Sequence, residues 1–144
     1  MSDRATDARR LAVFLHSGDY DRLHQGAAIA AAGAAAERDV EVFFFWWALQ
    51  KLVAGELSQP SFEGHLPPGG GLDLEHRFED RAFPTAAALL AAARETGRCR
   101  LFACTASMEL LGLRPPEVEK HVDSLLGWQG ILARTEGVTD RFYL

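Results

Sequence analysis

Short apolar runs alternate along this chain with stretches of helical character. That alternation restricts the fold more than any other feature. Leu11-Ala12-Val13-Phe14-Leu15 is uninterrupted and bulky, which suits a strand buried on both faces. Val40 to Phe45 repeats the pattern, Arg100 to Ala103 is a third strand, Val122 to Leu126 a short fourth and Arg141 to Leu144 a closing one. Helices are expected between them at Arg22 to Arg38, Trp46 to Ala54, Phe83 to Thr96, Thr105 to Leu111, Pro115 to Lys120 and Trp128 to Thr135. Their punctuation agrees: Pro84 near one start, Gly55, Gly97 and Gly112 at ends. Strands separated by helices predict an α/β fold, a three-layer, doubly wound and mostly parallel sheet of about five strands.

The first helix is built almost wholly of Ala and Gly between Gly26 and Ala36, so it can approach a sheet closely. The 144 residues suit a single domain. Met1 to Arg10 is expected to be a flexible terminus. Glu56 to Arg81 breaks the alternation with Pro60, Pro67, Pro68, Gly69, Gly70 and Gly71. It is expected to be a long mobile loop with room for a short helical piece.

Charge and cysteine usage remove several function classes. A formal net charge of −5 argues against nucleic acid as a partner, since phosphate binding needs a basic footprint. The apolar run through Phe43 to Leu49 is cut by Gln50 and Lys51, so no membrane span is expected. The two cysteines, Cys99 and Cys104, have no second pair to complete a zinc site. A strand between them would hold them beyond disulfide reach. Free thiols and a charged N-terminus without an apolar core lead to the expectation of a cytoplasmic protein. The five histidines form neither H-x3-H nor H-E-x-x-H, and no metal is expected. There is no G-x-G-x-x-G after the first strand, no G-x4-G-K-[ST] and no G-x-S-x-G, so no cofactor is expected.

In such a sheet the ligand site lies beyond the carboxyl ends of the strands. Three turns meet that description: His16 to Asp19, Phe45 to Trp47, and Cys104 to Ser107. The third is the most informative, because a strand ends on Cys104 and a helix begins after it. Backbone N–H groups at a helix start favour an anion, and a thiolate is an anion; Glu109, one turn on, opposes this. A buried structural cysteine is the alternative. His16 ends the first strand, where it can meet Cys104 or bond to nearby backbone. Trp46 and Trp47 can wall a pocket beside Cys104 or fill a subunit interface. The candidate site is therefore Cys104 as the reacting residue, with Ser17, Gly18, Asp19, Trp46, Trp47, Thr105, Ala106 and Ser107 as substrate-binding positions.

Three segments, taken in order, resemble the DsrE/DsrF-like family, which is linked to sulfur relay. The first is the opening strand with Ser17-Gly18-Asp19 and the Ala-rich helix. The second, Val42-Phe43-Phe44-Phe45-Trp46-Trp47-Ala48-Leu49, is similar to the family's apolar strand running into F-W-[GA]-L. The third, Ala103-Cys104-Thr105-Ala106-Ser107-Met108-Glu109-Leu110-Leu111-Gly112-Leu113, resembles the A-C-x-x-S-M-x-x-x-G-[IL] signature of one subgroup and is the most specific. The resemblance implies a homo-oligomer (dimer, trimer or hexamer) and a cysteine, here Cys104, that carries sulfur as a persulfide between a protein donor and a protein acceptor. The competing expectation is a small-ligand-binding or assembly domain of the same fold whose cysteine is unreactive.

Overall fold

The computed structural model describes residues 9–62 and 70–144. Five parallel strands form its sheet: β1 (Arg10–Leu15), β2 (Asp39–Phe44), β3 (Cys99–Cys104), β4 (Ser124–Leu126) and β5 (Asp140–Tyr143), in the spatial order β4-β3-β2-β1-β5. The α/β expectation therefore holds. The register runs Leu15↔Phe44, Phe44↔Ala103, Cys104↔Leu126 and Phe14↔Tyr143, so all five strands end on one edge.

Each connection from β1 through β4 steps to the next strand on one side, whereas β5 returns to the far side of β1. Right-handed crossovers then put the early helices on one face and the last helix on the other. On the first face α1 (Tyr20–Ala35), α2 (Trp46–Val53), α4 (Ala86–Glu95), α5 (Thr105–Leu110) and α6 (Pro115–Glu119) bury residues against Leu11, Val13, Val40, Val42 and Leu101. The second face carries Ala12, Phe14, Phe43, Phe102 and Cys104, and Ile131 of α7 (Trp128–Arg134) packs there. The Ala and Gly content of α1 has the expected use: a Cβ on Gly33 would stand 2.6 Å from Leu11 Cδ2, so a larger residue there meets β1.

The second face is ruled by aromatic rings in register. Tyr143, Phe14, Phe43 and Phe102 stack across β5, β1, β2 and β3 at centroid separations of 4.7, 5.1 and 5.2 Å. The Arg134 guanidinium closes the row, 4.4 Å above the Phe102 ring. Below it, buried Glu41 pairs with both Arg10 and Arg134.

The segment from 56 to 81 departs from the expected loop. A 3-10 turn occupies Glu56–Ser58, and α3 spans Gly70–Asp80; residues 63–69 lie outside those described. The segment's apolar anchors do not stand out in its composition. Phe78 of α3 lies 5.9 Å from Phe62, 6.0 Å from Tyr20 and 5.2 Å from His24, ring to ring. The buried Tyr20 hydroxyl donates to Leu57 O and accepts the Ala86 N–H, tying the segment to α4, and burial raises its ionisation above the ordinary phenol value. Helix α4 also starts later than expected: Thr85 caps it by accepting the Ala88 N–H at 3.1 Å, which leaves Pro84 outside. Of the expected flexible terminus, residues 1–8 lie outside those described, and Arg10 opens β1.

Candidate functional site

Cys104 closes β3, and the side-chain period of a strand decides where it looks. Cys99 and Cys104 are an odd number of residues apart, so they face opposite sides of the sheet. Cys99 belongs to the helix-covered face and Cys104 to the aromatic one. Both thiols are free. The separation along the strand, roughly 16 Å at about 3.3 Å per residue, rules out a bond between them. Cys99 is also chemically quiet: burial pushes its thiol up to about 12, with Arg94 opposing and Asp123 adding to the rise.

Cys104 lies at the floor of a cavity of about 580 Å³ on the carboxyl edge of the sheet. Its walls come from strand ends and from the helices that follow them. β1 supplies Phe14 and His16, the β2 end Phe45 and Trp46, β5 and its extension Tyr143 and Leu144. α5 contributes Ala106, Ser107 and Leu110, α7 contributes Trp128, and the first turn of α1 contributes Arg22. Cys104 is only 2% exposed, so reagents reach it through this space. Ser107, 3% exposed, is the other buried polar residue of the lining.

The walls are pinned by backbone hydrogen bonds between neighbouring strand ends. The Leu144 carbonyl accepts the His16 N–H at 2.8 Å, and the Leu144 N–H donates to Phe14 O at 2.8 Å. The Phe45 N–H donates to Leu15 O at 2.8 Å. Trp46 then takes a φ of 45°, a left-handed conformation that costs a bulky residue on the order of 1–3 kcal/mol. That bend turns β2 sharply into α2 and brings Trp46 to the cavity. The Phe45 and Trp128 rings stack at 5.0 Å beside it.

Large apolar side chains rim the opening. Trp46 is 40% exposed, Trp128 49%, Tyr143 66% and Leu110 68%. These exposed side chains thus gather around one pocket rather than standing scattered over the surface.

The sequence-derived candidates divide. Cys104, Ala106, Ser107 and Trp46 come together in the cavity. Gly18, Asp19 and Trp47 line a separate hollow of about 390 Å³ with Tyr20, Gln50, Lys51 and Ser61. Ser17 caps the turn instead, its Oγ accepting the Asp19 N–H at 3.0 Å. Thr105 sits against Gly127, outside the lining: a Cβ there would stand 3.6 Å from Thr105 Oγ1. Ser17, Gly18, Asp19, Trp47 and Thr105 therefore do not line the Cys104 cavity. For the tryptophans the bend at Trp46 is the reason: Trp46 lines the Cys104 cavity and Trp47 the separate hollow. Gly18 packs against Trp47, and a Cβ on it would lie 2.9 Å from Trp47 Cβ. His16 does share the cavity with Cys104, but no hydrogen bond joins them.

Arg22, Leu110, Trp128 and Tyr143 were missed as site residues. Trp128 and Tyr143 had a signal, since they also follow or end strands on the functional edge. Arg22 had none, because only the α1 direction brings it over the cavity. Among the described residues no three His, Cys, Asp or Glu side chains gather as a metal would require. Nor is any described helix long and apolar enough to cross a membrane.

No family model matches the chain. It is similar to an uncharacterized protein, YrkE, of Bacillus subtilis (strain 168), with 28% identity over 136 residues that cover 80% of this chain and 84% of that protein.

Proposed function

We propose that this protein is a sulfur-relay carrier of the DsrE/DsrF-like kind, holding sulfur as a persulfide on Cys104. The observation that carries the reading is the position of Cys104: it ends an interior parallel strand and lines an apolar cavity of about 580 Å³ on the carboxyl edge of the sheet. The A-C-x-x-S-M-x-x-x-G segment supports it, because it resembles the family signature whose cysteine carries sulfur. The reaction needs no metal. The Cys104 thiolate attacks the outer sulfur of a donor persulfide, the donor's S–S bond breaks, and the donor thiolate leaves with the electron pair. A second attack, by an acceptor thiolate on the outer sulfur of Cys104, returns the thiol.

The burial of Cys104 suits this chemistry. A persulfide is lost to any thiol that meets it, and a sulfur only 2% exposed, set in an apolar lining, meets fewer of them. The aromatic rim fits docking of a protein donor or acceptor, or of further copies of this chain, and the homo-oligomer and the cytoplasmic location belong to the same proposal. Light scattering at micromolar concentration tests the oligomer; a monomer removes that part.

The 2% exposure of Cys104 favours a second reading, a small-ligand-binding domain whose thiol merely completes the pocket floor. Mass spectrometry separates the two. After incubation with a sulfane-sulfur donor, one added sulfur mapped to Cys104 supports the carrier. An unmodified Cys104, with the cavity still binding small apolar molecules, selects the second reading.

A further inference from the structure

The Cys104 cavity is apolar over most of its lining. Besides Cys104 itself and the Tyr143 phenol, its ionisable side chains are Arg22 and His16, and no Asp or Glu side chain lines it. Arg22 differs from several arginines of this protein. Six of the thirteen, Arg10, Arg38, Arg94, Arg98, Arg114 and Arg134, pair with a carboxylate, and Arg9 and Arg141 bond to backbone carbonyls. Arg22 makes no ion pair and no side-chain hydrogen bond among the described residues, in a chain whose acidic residues outnumber its Lys and Arg by 20 to 15. Asp19 and Asp21 lie on the same turn, yet neither lines the cavity. A cation in the first turn of a helix also opposes the helix dipole, so helix stability does not account for it. A guanidinium is always charged and offers a planar fork of donors suited to a carboxylate or similar anion.

The rest of the lining describes the body of the ligand. The Phe45 and Trp128 rings present flat apolar surface, and about 580 Å³ is room for one small organic molecule. A thiol with several charged groups would lose water at positions that supply no partner.

We infer that the cavity admits a small thiol or persulfide with an apolar, preferably aromatic, body and one anionic group, and that Arg22 sets this preference. The inference rests on the sulfur-relay reading for the chemistry at Cys104, and on the cavity alone for binding. In the transfer the Cys104 thiolate attacks the outer sulfur of bound R–S–SH. The S–S bond breaks, R–S⁻ leaves carrying the electron pair, Cys104–S–SH remains, and Arg22 holds the anionic group of R throughout.

Two matched probe pairs test it in a Cys99→Ser background. The first is an equilibrium pair, 4-nitrobenzoate against neutral 4-nitrobenzyl alcohol, read by shifts of the Trp46 and Trp128 indole N–H signals. The second is kinetic, the anionic disulfide 5,5′-dithiobis(2-nitrobenzoate) against neutral 4,4′-dithiodipyridine at Cys104. Arg22→Gln should lower the anion-to-neutral ratio about two- to fivefold in both pairs, the size of an exposed charge pair. Arg22→Lys should recover most of it, and added salt should lower the ratio only where a cation remains. An unchanged ratio in Arg22→Gln, or no indole shift with 4-nitrobenzoate, overturns the inference. Sulfur loading is scored separately. If Cys104 accepts sulfur without an anion preference, this inference fails alone. If the anion preference holds and Cys104 never takes sulfur, the relay reading fails and the anion site stands.

Discussion

Cys99 and Cys104 begin and end the same strand, and both are nearly inaccessible, at 5% and 2% exposure. Their surroundings differ in one respect that matters. Cys99 is packed among the side chains of the helix-covered face, whereas Cys104 has packed side chains behind it and a cavity in front. Fractional exposure does not separate a structural thiol from a candidate reactive one. What separates them is the end of the strand and the face of the sheet, and both follow from counting residues along β3. The carboxyl end is where turns leave a parallel sheet open, and the second face has α7 rather than a full layer of helices over it.

The largest effect should come from exchanging the two sulfurs for oxygen. Cys104→Ser should abolish sulfur loading entirely while leaving the thermal melt within a few degrees of wild type. Cys99→Ser should load normally. Intact-mass spectra and circular dichroism of both variants decide it, and loading lost only in Cys99→Ser would reverse the roles assigned here.

Next in size is the protection of Cys99 from alkylation. With its thiol raised to about 12, its thiolate fraction at pH 8 is on the order of one in ten thousand. Iodoacetamide on the native protein, followed by peptide mapping, should therefore mark Cys104 long before Cys99. Equal labelling would mean that the β3 start opens readily.

The two faces can be compared through their cores. Phe43 is 1% exposed and sits in the middle of the aromatic row on the Cys104 face. Phe43→Ala should cost about 3–5 kcal/mol in urea unfolding, as for other buried Phe truncations. A cost below about 1 kcal/mol would show that the aromatic face is loosely packed, and that the cavity is a gap rather than a formed site.

The smallest effect is a pH slope. Below pH 9 the Cys99 thiol is protonated in both folded and unfolded chains, so the stability linked to its raised ionisation is fully present. Between pH 9 and about 12 the unfolded chain loses a proton that the folded chain keeps, and stability falls by at most about 1.4 kcal/mol per pH unit. Urea titrations at pH 8 and pH 10 should show a shallower loss in Cys99→Ser than in wild type. Identical slopes would remove Cys99 from the alkaline transition.

Much of the fold was legible because its signals are local. Leu11 to Leu15 and Val40 to Phe45 are too apolar and too short for anything but buried strands, and the helices between them force parallel pairing. The segment from 56 to 81 was legible only in part: the helical piece it was given room for is α3, but the anchoring of its described residues is not local. Phe62 and Phe78 look isolated among Gly, Pro and charge, and their partners Tyr20 and His24 come from α1, far away in the chain. Composition also does not reveal that Tyr20 bridges Leu57 and Ala86.

The candidate site divides the same way. The sequence by itself determined which residue types stand at the strand ends, and hence that Cys104, Trp46, His16 and Ser107 share one edge. It also determined that Cys99 and Cys104 face opposite ways, since strand geometry alternates with every residue. Only the tertiary structure decided which of those strand-end residues meet. The left-handed bend at Trp46 sent Trp47 to another hollow, and the return of β5 beside β1 brought Tyr143 and Leu144 to the wall. The direction of α1 carried Arg22 over the cavity. Backbone bends and strand order depend on contacts between distant segments, and those have no counterpart in the pattern of neighbouring residues.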